Sequence, residues 1–556
     1  MTMEFPIFSN YSKKIPKKGS GLYYDPVYGY VPLPSYVREA MDLDVFQRLR
    51  GIKQLSTVYL TFPGAVHTRF DHCVGVSHLA SLMANKLREL VSPNDANSPK
   101  INSVTEACMK LSSLFHDIGH GPFCHIFEMF CRRIEEFKSW DHESFANKLI
   151  TGRDEKDNEL AKEEFKQIPK FLANLKHNFS IEYGDAENLA LLDPKNIFLV
   201  GLGKPPDLGD AKLSNKYYFL KDIIASSYGL DRLDYLKRDA YFSGVITGNL
   251  DIGEIISNLL LKKYDNKYQL CLKSEAATAL ETLLQARNLV YRRLYHNSVN
   301  RSAQELIIRA LMELKNEPED LCLLTDDELL FKFFEIEGIP GEIRERIKFR
   351  VLFENLPICN HLLIKDFKLR LDDYKKKPDQ WKILRNKEDS IAKKAGMDKG
   401  KVFYDIEIIP AVRIKDFTEQ VFFDEVEAKP KSLFDLAKHL DAIYGKDVLT
   451  GQLKHESFND SVSTIYTSFP FDEIEEEIEV LTKSPADNLQ NGIKQLYEKK
   501  LRPLIYGFFD EILQIKETVP EFYENKDVKE HLSLLEKKYL NYLNDLVELK
   551  KAVAQK

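Results

Sequence analysis

Long apolar runs are missing from this chain of 556 residues: none approaches the roughly 20 residues needed to span a bilayer, so no membrane association is expected. The first residues, MTMEFPIFSNYSKKIPKKGS, carry basic groups but lack the apolar core of a signal peptide, and a cytoplasmic setting is the expectation. Paired cysteines are missing too. The seven present (Cys73, Cys108, Cys124, Cys131, Cys271, Cys322, Cys359) are scattered without a CxxC, which argues against a disulfide framework and zinc-finger spacing and fits reduced thiols. Nor is there an excess of positive charge. The 79 Lys and Arg against 86 Asp and Glu leave a net charge of −7, which speaks against a uniformly basic nucleic-acid binder but leaves room for a local basic pocket around a phosphorylated small molecule. There is no G-x-S-x-G nucleophile, internal repeat or extended low-complexity segment, and GLGK at Gly201–Lys204 lacks the ending of a phosphate-cradling loop and reads as a turn.

What is there is a globular composition, 44% hydrophobic and 30% charged, on a chain longer than one hydrophobic core usually serves. From about Pro34 to Ser302 the pattern is mainly helical: Val104, Cys108, Leu111 and Phe115 share one helix face, and Ser274–Leu314 reads as one long helical run with Ser274 as its N-cap. Loops are expected at Ser92–Pro99 and Pro205–Asn215. Past about Asp320 the character shifts. Lys365–Lys401 carries thirteen Lys/Arg against seven Asp/Glu and reads as a charged linker, with a weak nucleic-acid contact through Tyr374 and Trp381 as the alternative. Val402–Pro410 and Gln420–Val426 alternate like strands of a small sheet. The tail is helical again, with stripes Leu489, Ile493, Leu496, Leu504, Phe508, Ile512 and Leu532, Leu535, Tyr539, Leu546, Leu549, and the acidic run Asp472–Glu477 reads as a solvated helix face.

Histidine is the informative residue: seven of the thirteen fall before residue 143. Six of these sit in HTRFDH (His67–His72), LFHDIGHGPFCH (Leu114–His125) and WDHES (Trp140–Ser144), and LDRLDYLKRD (Leu230–Asp239) adds carboxylates. His116 and Asp117 stand together where Gly119, Gly121 and Pro122 end an apolar helix, so an imidazole and a carboxylate can turn toward one cation. His72 and Asp231 complete a mixed nitrogen–oxygen set that leaves positions open for water and substrate, as a catalytic site requires. A lone HD pair carries almost nothing, and lone histidines such as His67, His78 or His177 usually serve packing; the order H…HD…D is the signal.

The segments FQRLRGIKQL, FPGAVHTRFDHCVGVSHLA, LFHDIGHGPFCH, WDHES and DRLDYLKRDAYFSG resemble the deoxynucleoside triphosphate triphosphohydrolases of the HD superfamily, over roughly residues 20–310. The resemblance implies a mainly α fold: an HD-domain helical catalytic core with a C-terminal α+β/helical accessory region; with only about twenty residues ahead of the first matching segment, no sterile-alpha-motif domain is expected there. The expected division is an N-terminal segment 1–20, the core 21–315, an accessory region 316–480 with the basic segment and a small sheet, and C-terminal helices 481–556. It implies a divalent metal ion (Mn, Fe, Ni, Zn or Mg) on His72, His116, Asp117 and Asp231. It implies proton chemistry by His142 and His120 with Glu128 orienting His142, α-phosphate contacts from Arg69 and His125, and distal-phosphate contacts from Arg232 and Arg287. Tyr235 and Asp239 are expected beside the sugar, Gln54 at the 3′-hydroxyl, and Tyr295 over the nucleotide. A homo-oligomer, dimer or tetramer, is expected as well.

Two departures stand out. Tyr291 occupies a position where the relatives have histidine near the triphosphate. Asp42, Gln47 and Arg50 match readers of an activating guanine nucleotide, but Gly21 and Tyr24 replace the lysine and asparagine that complete that pocket, so little activation is expected. Two other readings stay open: a nuclease or phosphodiesterase on single strands, guided by Lys365–Lys401, and a nucleotide-binding sensor in a defence or regulatory system. The His142–Glu128 pair argues against the sensor, which has no need of it.

Overall fold

The structure, a computed structural model, describes residues 21–91, 95, 97–134, 137–184, 187–314, 318–334, 339–348, 354–359, 380–399, 401–405, 409–410, 420–424, 429–432, 461–462, 465–469, 471–512, 522–524 and 526–554. It is mainly α-helical and divides into two compact units. The first comprises Met1–His296, Ile308–Gly341 and Val412–Asn459, the second Asn297–Ile307, Glu342–Ala411 and Asp460–Lys556. Among the described residues, no helix is long and apolar enough to cross a membrane.

The first unit opens with an antiparallel hairpin, β1 (Gly21–Asp25) and β2 (Gly29–Leu33). Five helices then position the histidines: α1 (Arg69–Leu90), α2 (Ser103–Phe115), α3 (His125–Arg132), α4 (His142–Thr151) and α5 (Leu230–Ser243). Helix α1 starts where it does because Thr68 and Asp71 form a reciprocal capping box, which puts His72 in the first turns. Its apolar residues Phe70, Val74, Leu79, Met83 and Leu87 are buried, and it packs against α2 and α5. The approach to α5 is close. A Cβ on Gly75 would stand 2.1 Å from Asp234 Oδ1 and 2.3 Å from Arg238 Nη2, so only glycine lets these helices meet. Helix α2, capped by Asn102 accepting from Thr105 N, ends at His116. A second capping box, Asp141 with Ser144, starts α4 at His142.

Between α2 and α3 the chain is pinned rather than free. Arg48, half-buried, donates to the carbonyls of Ile118, His120 and Cys322, at 2.8, 2.8 and 2.9 Å. The buried Asp326 carboxylate accepts from the backbone N–H of Phe123 at 2.7 Å and of Lys53 at 2.9 Å. Phe123 and Cys124 have φ of 57° and 53°, a region unfavourable to non-glycine residues, and the anchors hold them there beside His125.

The second unit has its own core: Leu384, Ile391, Tyr404, Phe469, Ile474, Ile493, Leu504, Tyr539 and Leu543 among others. The three-stranded sheet has Ile465–Phe469 between Glu354–Cys359 and Phe403–Asp405, all antiparallel.

Several expectations change. Ser274–Leu314 is not one run: a 3-10 turn, Ser274–Ala276, precedes a helix Ala277–Val290, a π-type turn Tyr291–Tyr295 and a helix Ser298–Glu313. Ser274 makes no cap, because Lys273 holds the preceding position without a side-chain bond. The mainly helical stretch contains an antiparallel pair, Leu259–Tyr264 with Lys267–Leu272, whose parallel neighbour is Gln420–Asp424 through Leu272 and Phe422. The expected small sheet is therefore divided. Phe403–Asp405, Ile409–Pro410 and Gln420–Asp424 lie in three different sheets, because alternation fixes a strand and not its partner. The expected loop Pro205–Asn215 turns helical at Ala211, capped by Asp210. Within the basic segment, Gln380–Lys394 is a helix with Leu384 and Ile391 buried, so that part is no linker; residues 361–379, including Tyr374, lie outside the described residues, as do the side chains of Trp381 and Ile512. In the tail Leu489, Ile493, Leu496, Leu504, Phe508, Leu532, Leu535 and Tyr539 are buried as expected, but the stripe continues through Leu543 and Val547, leaving Leu549 62% exposed. Helix Asp472–Thr482 buries Ile474, Ile478 and Leu481 and turns Asp472 and Glu476 outward.

Replacing Asp326 by Ala leaves two buried N–H groups without an acceptor, at a cost on the order of 1–3 kcal/mol each. The thermal midpoint should fall, with Asp326→Asn falling less; an unchanged midpoint in the Ala variant would show that the 119–124 loop does not depend on this anchor.

Candidate active site

Four side chains from α1, the end of α2 and the start of α5 converge. His72 Nε2 lies 3.3 Å from His116 Nε2, 3.5 Å from Asp117 Oδ2 and 3.1 Å from Asp231 Oδ1. His116 Nε2 lies 3.4 Å from Asp117 Oδ2 and 3.6 Å from Asp231 Oδ1. Ligands about 2.0–2.2 Å from a metal ion stand roughly 3.0–3.5 Å apart around it, so these separations fit a cation held among them. Two imidazoles and two carboxylates suit a divalent transition ion.

Behind His72 is a fully buried chain. Its Nδ1 meets Asp234 Oδ2 at 2.7 Å, Arg238 binds Asp234 at 2.9 and 3.0 Å, and Arg238 Nη2 reaches Asp25 Oδ2 of β1 at 2.9 Å. His116 Nδ1 is held by the Ser113 carbonyl at 2.8 Å. Each imidazole therefore has one nitrogen engaged from behind and Nε2 turned to the centre, the arrangement that fixes metal-binding histidines. Asp234 escaped the sequence reading, although its spacing of three after Asp231 and four before Arg238 puts all three along one side of α5.

The electrostatics follow from the convergence of carboxylates. Burial pulls His72 down, but the hydrogen bonds it donates to Asp231 and Asp234 outweigh it and hold it up at about 10. Burial raises Asp117, but the Arg69 guanidinium, bonded to its Oδ2, together with His116 and His120 drives it well below the usual carboxylate range. Burial likewise opposes Asp234, which Arg238 and His72 bring down to about 2. The pocket asks for positive charge, and a cation bound there displaces the proton of His72.

A second group adjoins it. His120 Nε2 is 3.4 Å from Asp117 Oδ1, and its ring stacks on His142 at 4.1 Å and 10°. Gly119 makes that possible, since a Cβ there would sit 2.0 Å from the His142 carbonyl oxygen. Glu128 binds His142 Nδ1 at 3.0 Å with Oε1 and His125 Nδ1 at 3.2 Å with Oε2. Burial opposes His142's charge, but Glu128 raises its pKa above the ordinary value. Burial, Arg69 and His142 push His120 well below its own.

The remaining expected residues form a third group on the same unit. Tyr235 on α5 is half-buried, with Arg232, Tyr291, Arg287 and Asp231 as its charged and phenolic neighbours. The Arg287 guanidinium lies 4.2 Å over the Tyr291 ring, and Tyr291 meets Tyr295 edge-on at 4.8 Å. Asp239 accepts from the Tyr295 hydroxyl and pairs with His67 Nε2 at 2.9 Å. His67, expected to serve packing, thus joins the site, stacked on Phe242 at 4.6 Å and accepting through its carbonyl from Gln54 N. Arg232 Nη1 donates to the Ser227 carbonyl. Of the activator positions, Arg50 Nε donates to Gln47 Oε1 at 2.9 Å, while Tyr24 packs edge-on against Tyr30.

Residues 69–190 match the model of the HD domain, and residues 250–445 that of the HD associated region. The chain carries an HD domain. It is similar to the uncharacterized protein YwfO of Bacillus subtilis, at 31% identity over 52% of this chain and 55% of that one. It is also similar to the deoxynucleoside triphosphate triphosphohydrolase SAMHD1 of Gallus gallus, at 27% identity over 57% of this chain and 47% of that one. The chain thus spans about half the length of these relatives. Among solved structures, a hypothetical protein from Aquifex aeolicus matches with a TM-score of 0.54 and 25% identity, over 83% of this chain and 98% of that one. Residues 69–190 are thus HD-domain-like, the chain is similar to the SAMHD1 enzymes over about half of its length, and it offers His and Asp groups placed to hold a divalent metal.

Asp234→Asn should weaken divalent-metal affinity by about 10–100-fold by loosening His72, whereas Asp117→Ala should abolish binding. Competition with a chelator measures both; wild-type affinity in Asp117→Ala would remove that residue from the ligand set.

Proposed function

We propose that the protein hydrolyses deoxynucleoside triphosphates to deoxynucleoside and inorganic triphosphate, as a cytoplasmic dimer or tetramer. The observation that carries this reading is the contact between the metal-ligand set and the His142–Glu128 pair, linked through Asp117 and His120 at 3.4 Å. The names of the SAMHD1 relatives support the substrate. His72, His116, Asp117 and Asp231 would hold the cation. When bound, it lowers the pKa of a water and polarises a phosphoryl oxygen.

The chain's own residues do the rest. His142, held protonated by Glu128, passes its proton to the departing 5′-oxygen, a contribution of about 10²–10⁴-fold. His120, neutral and stacked on it, keeps that ring in position. Arg69 and His125 take the α-phosphate, and Arg232 and Arg287 neutralise the distal phosphates. Tyr235 packs on C2′, where a ribose hydroxyl finds neither room nor partner, and Tyr295 closes over the nucleotide. Gln54 Oε1 is buried without a hydrogen-bond partner and accepts from the 3′-hydroxyl, while Asp239, held by His67 and Tyr295, borders the sugar.

The sign of the pH dependence follows. The acid is fully present below the ordinary histidine pKa of about 6.5 and is lost as pH rises through the raised value of His142. Glu128→Gln should therefore move the alkaline limb of kcat/KM to lower pH. A limb that stays in place would assign the proton to another group.

An unpaired buried hydroxyl costs on the order of 1–3 kcal/mol, so each dNTP should outcompete its NTP by roughly tenfold to a hundredfold. Chromatography of products from each dNTP and NTP tests this, with free triphosphate as the expected product. Equal hydrolysis of ATP and dATP would refute the sugar assignment, and cleavage of oligonucleotides without dNTP hydrolysis would replace the substrate class.

A further inference from the structure

His120, His125 and His142 each offer one ring nitrogen within 4.8 Å of the other two, outside the His72 set. Glu128 orients two of them at once, Oε1 toward His142 Nδ1 at 3.0 Å and Oε2 toward His125 Nδ1 at 3.2 Å. An ionised carboxylate only accepts, so both Nδ1 atoms carry hydrogen and both Nε2 atoms, when the rings are neutral, present lone pairs. This is how carboxylates prepare imidazoles for a metal ion. The third ring, His120, is fixed by its stack on His142. Entry is open, because the His125 side chain is 66% exposed.

We propose that His120, His125 and His142 form a second, weaker site for an imidazole-seeking divalent ion such as zinc, and that filling it switches catalysis off. It is weaker for a geometric reason. Nitrogen ligands on tetrahedral zinc stand about 3.3 Å apart, so these rings must draw together, and buried His120 resists where exposed His125 yields. The His72 set needs no such movement. Nearby Arg69 adds repulsion, since its guanidinium is bonded to Asp117 beside His120. Once bound, the ion occupies the lone pair on which His142 carries its transferable proton. The inhibitory consequence rests on the acid role proposed for His142; the binding does not.

Equilibrium dialysis of the full chain against Co²⁺, with the visible absorption of the bound ion, tests the site. Two classes of binding are expected: a tight one lost in Asp117→Ala and a weaker one lost in His125→Ala, with both kept in the exposed control His177→Ala. Retention of the tight class in His125→Ala shows that this variant is folded. A single class in the wild type, or a weaker class that survives His125→Ala, would overturn the proposal. With Zn²⁺, filling the weaker class should reduce dNTP turnover about a hundredfold or more. Two classes without inhibition would leave the site standing and reject its regulatory effect. Absence of dNTP hydrolysis at any Zn²⁺ level would count against the substrate reading alone.

Discussion

Three carboxylates, Asp117, Asp231 and Asp234, face one buried imidazole, His72, and much of the first unit's architecture serves that convergence. Negative groups gathered in a poorly solvated place repel one another unless positive charge stands among them. Arg69 supplies some on the side of Asp117, and Arg238 supplies some on the side of Asp234. The remaining demand falls at the centre, where the donor atoms already stand at distances a divalent ion imposes. The capping boxes, the glycine contact between α1 and α5, and the bond from Arg238 to Asp25 keep these groups together.

The same economy of position governs the loop between α2 and α3. It bears His116, Asp117 and His120 and leads into His125, yet contains two non-glycine residues at positive φ and no regular structure of its own. Rigidity comes from elsewhere in the unit: Arg48 gathers its carbonyls, and Asp326, two hundred residues away in sequence, takes its N–H of Phe123. A loop held from outside keeps His116, Asp117 and His120 in register. Glu128 on α3 and His142 on α4 are set against it from two further helices, so the pair meets the His72 group although no single element carries both.

The sequence by itself determined the helical class of the core and the end of α2, because helical periodicity and helix-breaking glycines are local properties, and it singled out the H…HD…D residues that the fold then brings together. The same holds for most of the apolar stripes in the tail. Pairing was not local. The strands at Phe403–Asp405 and Gln420–Asp424 were legible as strands, but their partners, Ile465–Phe469 in one case and Lys267–Leu272 in the other, are set by long-range contacts that alternation does not encode. Tertiary structure alone decided that His67 holds Asp239, that Asp234 and Arg238 brace His72, and that Asp326 anchors the loop between α2 and α3. Each is a buried polar group whose partner lies far along the chain, and burial, which makes such a partner necessary, exists only once the chain has folded.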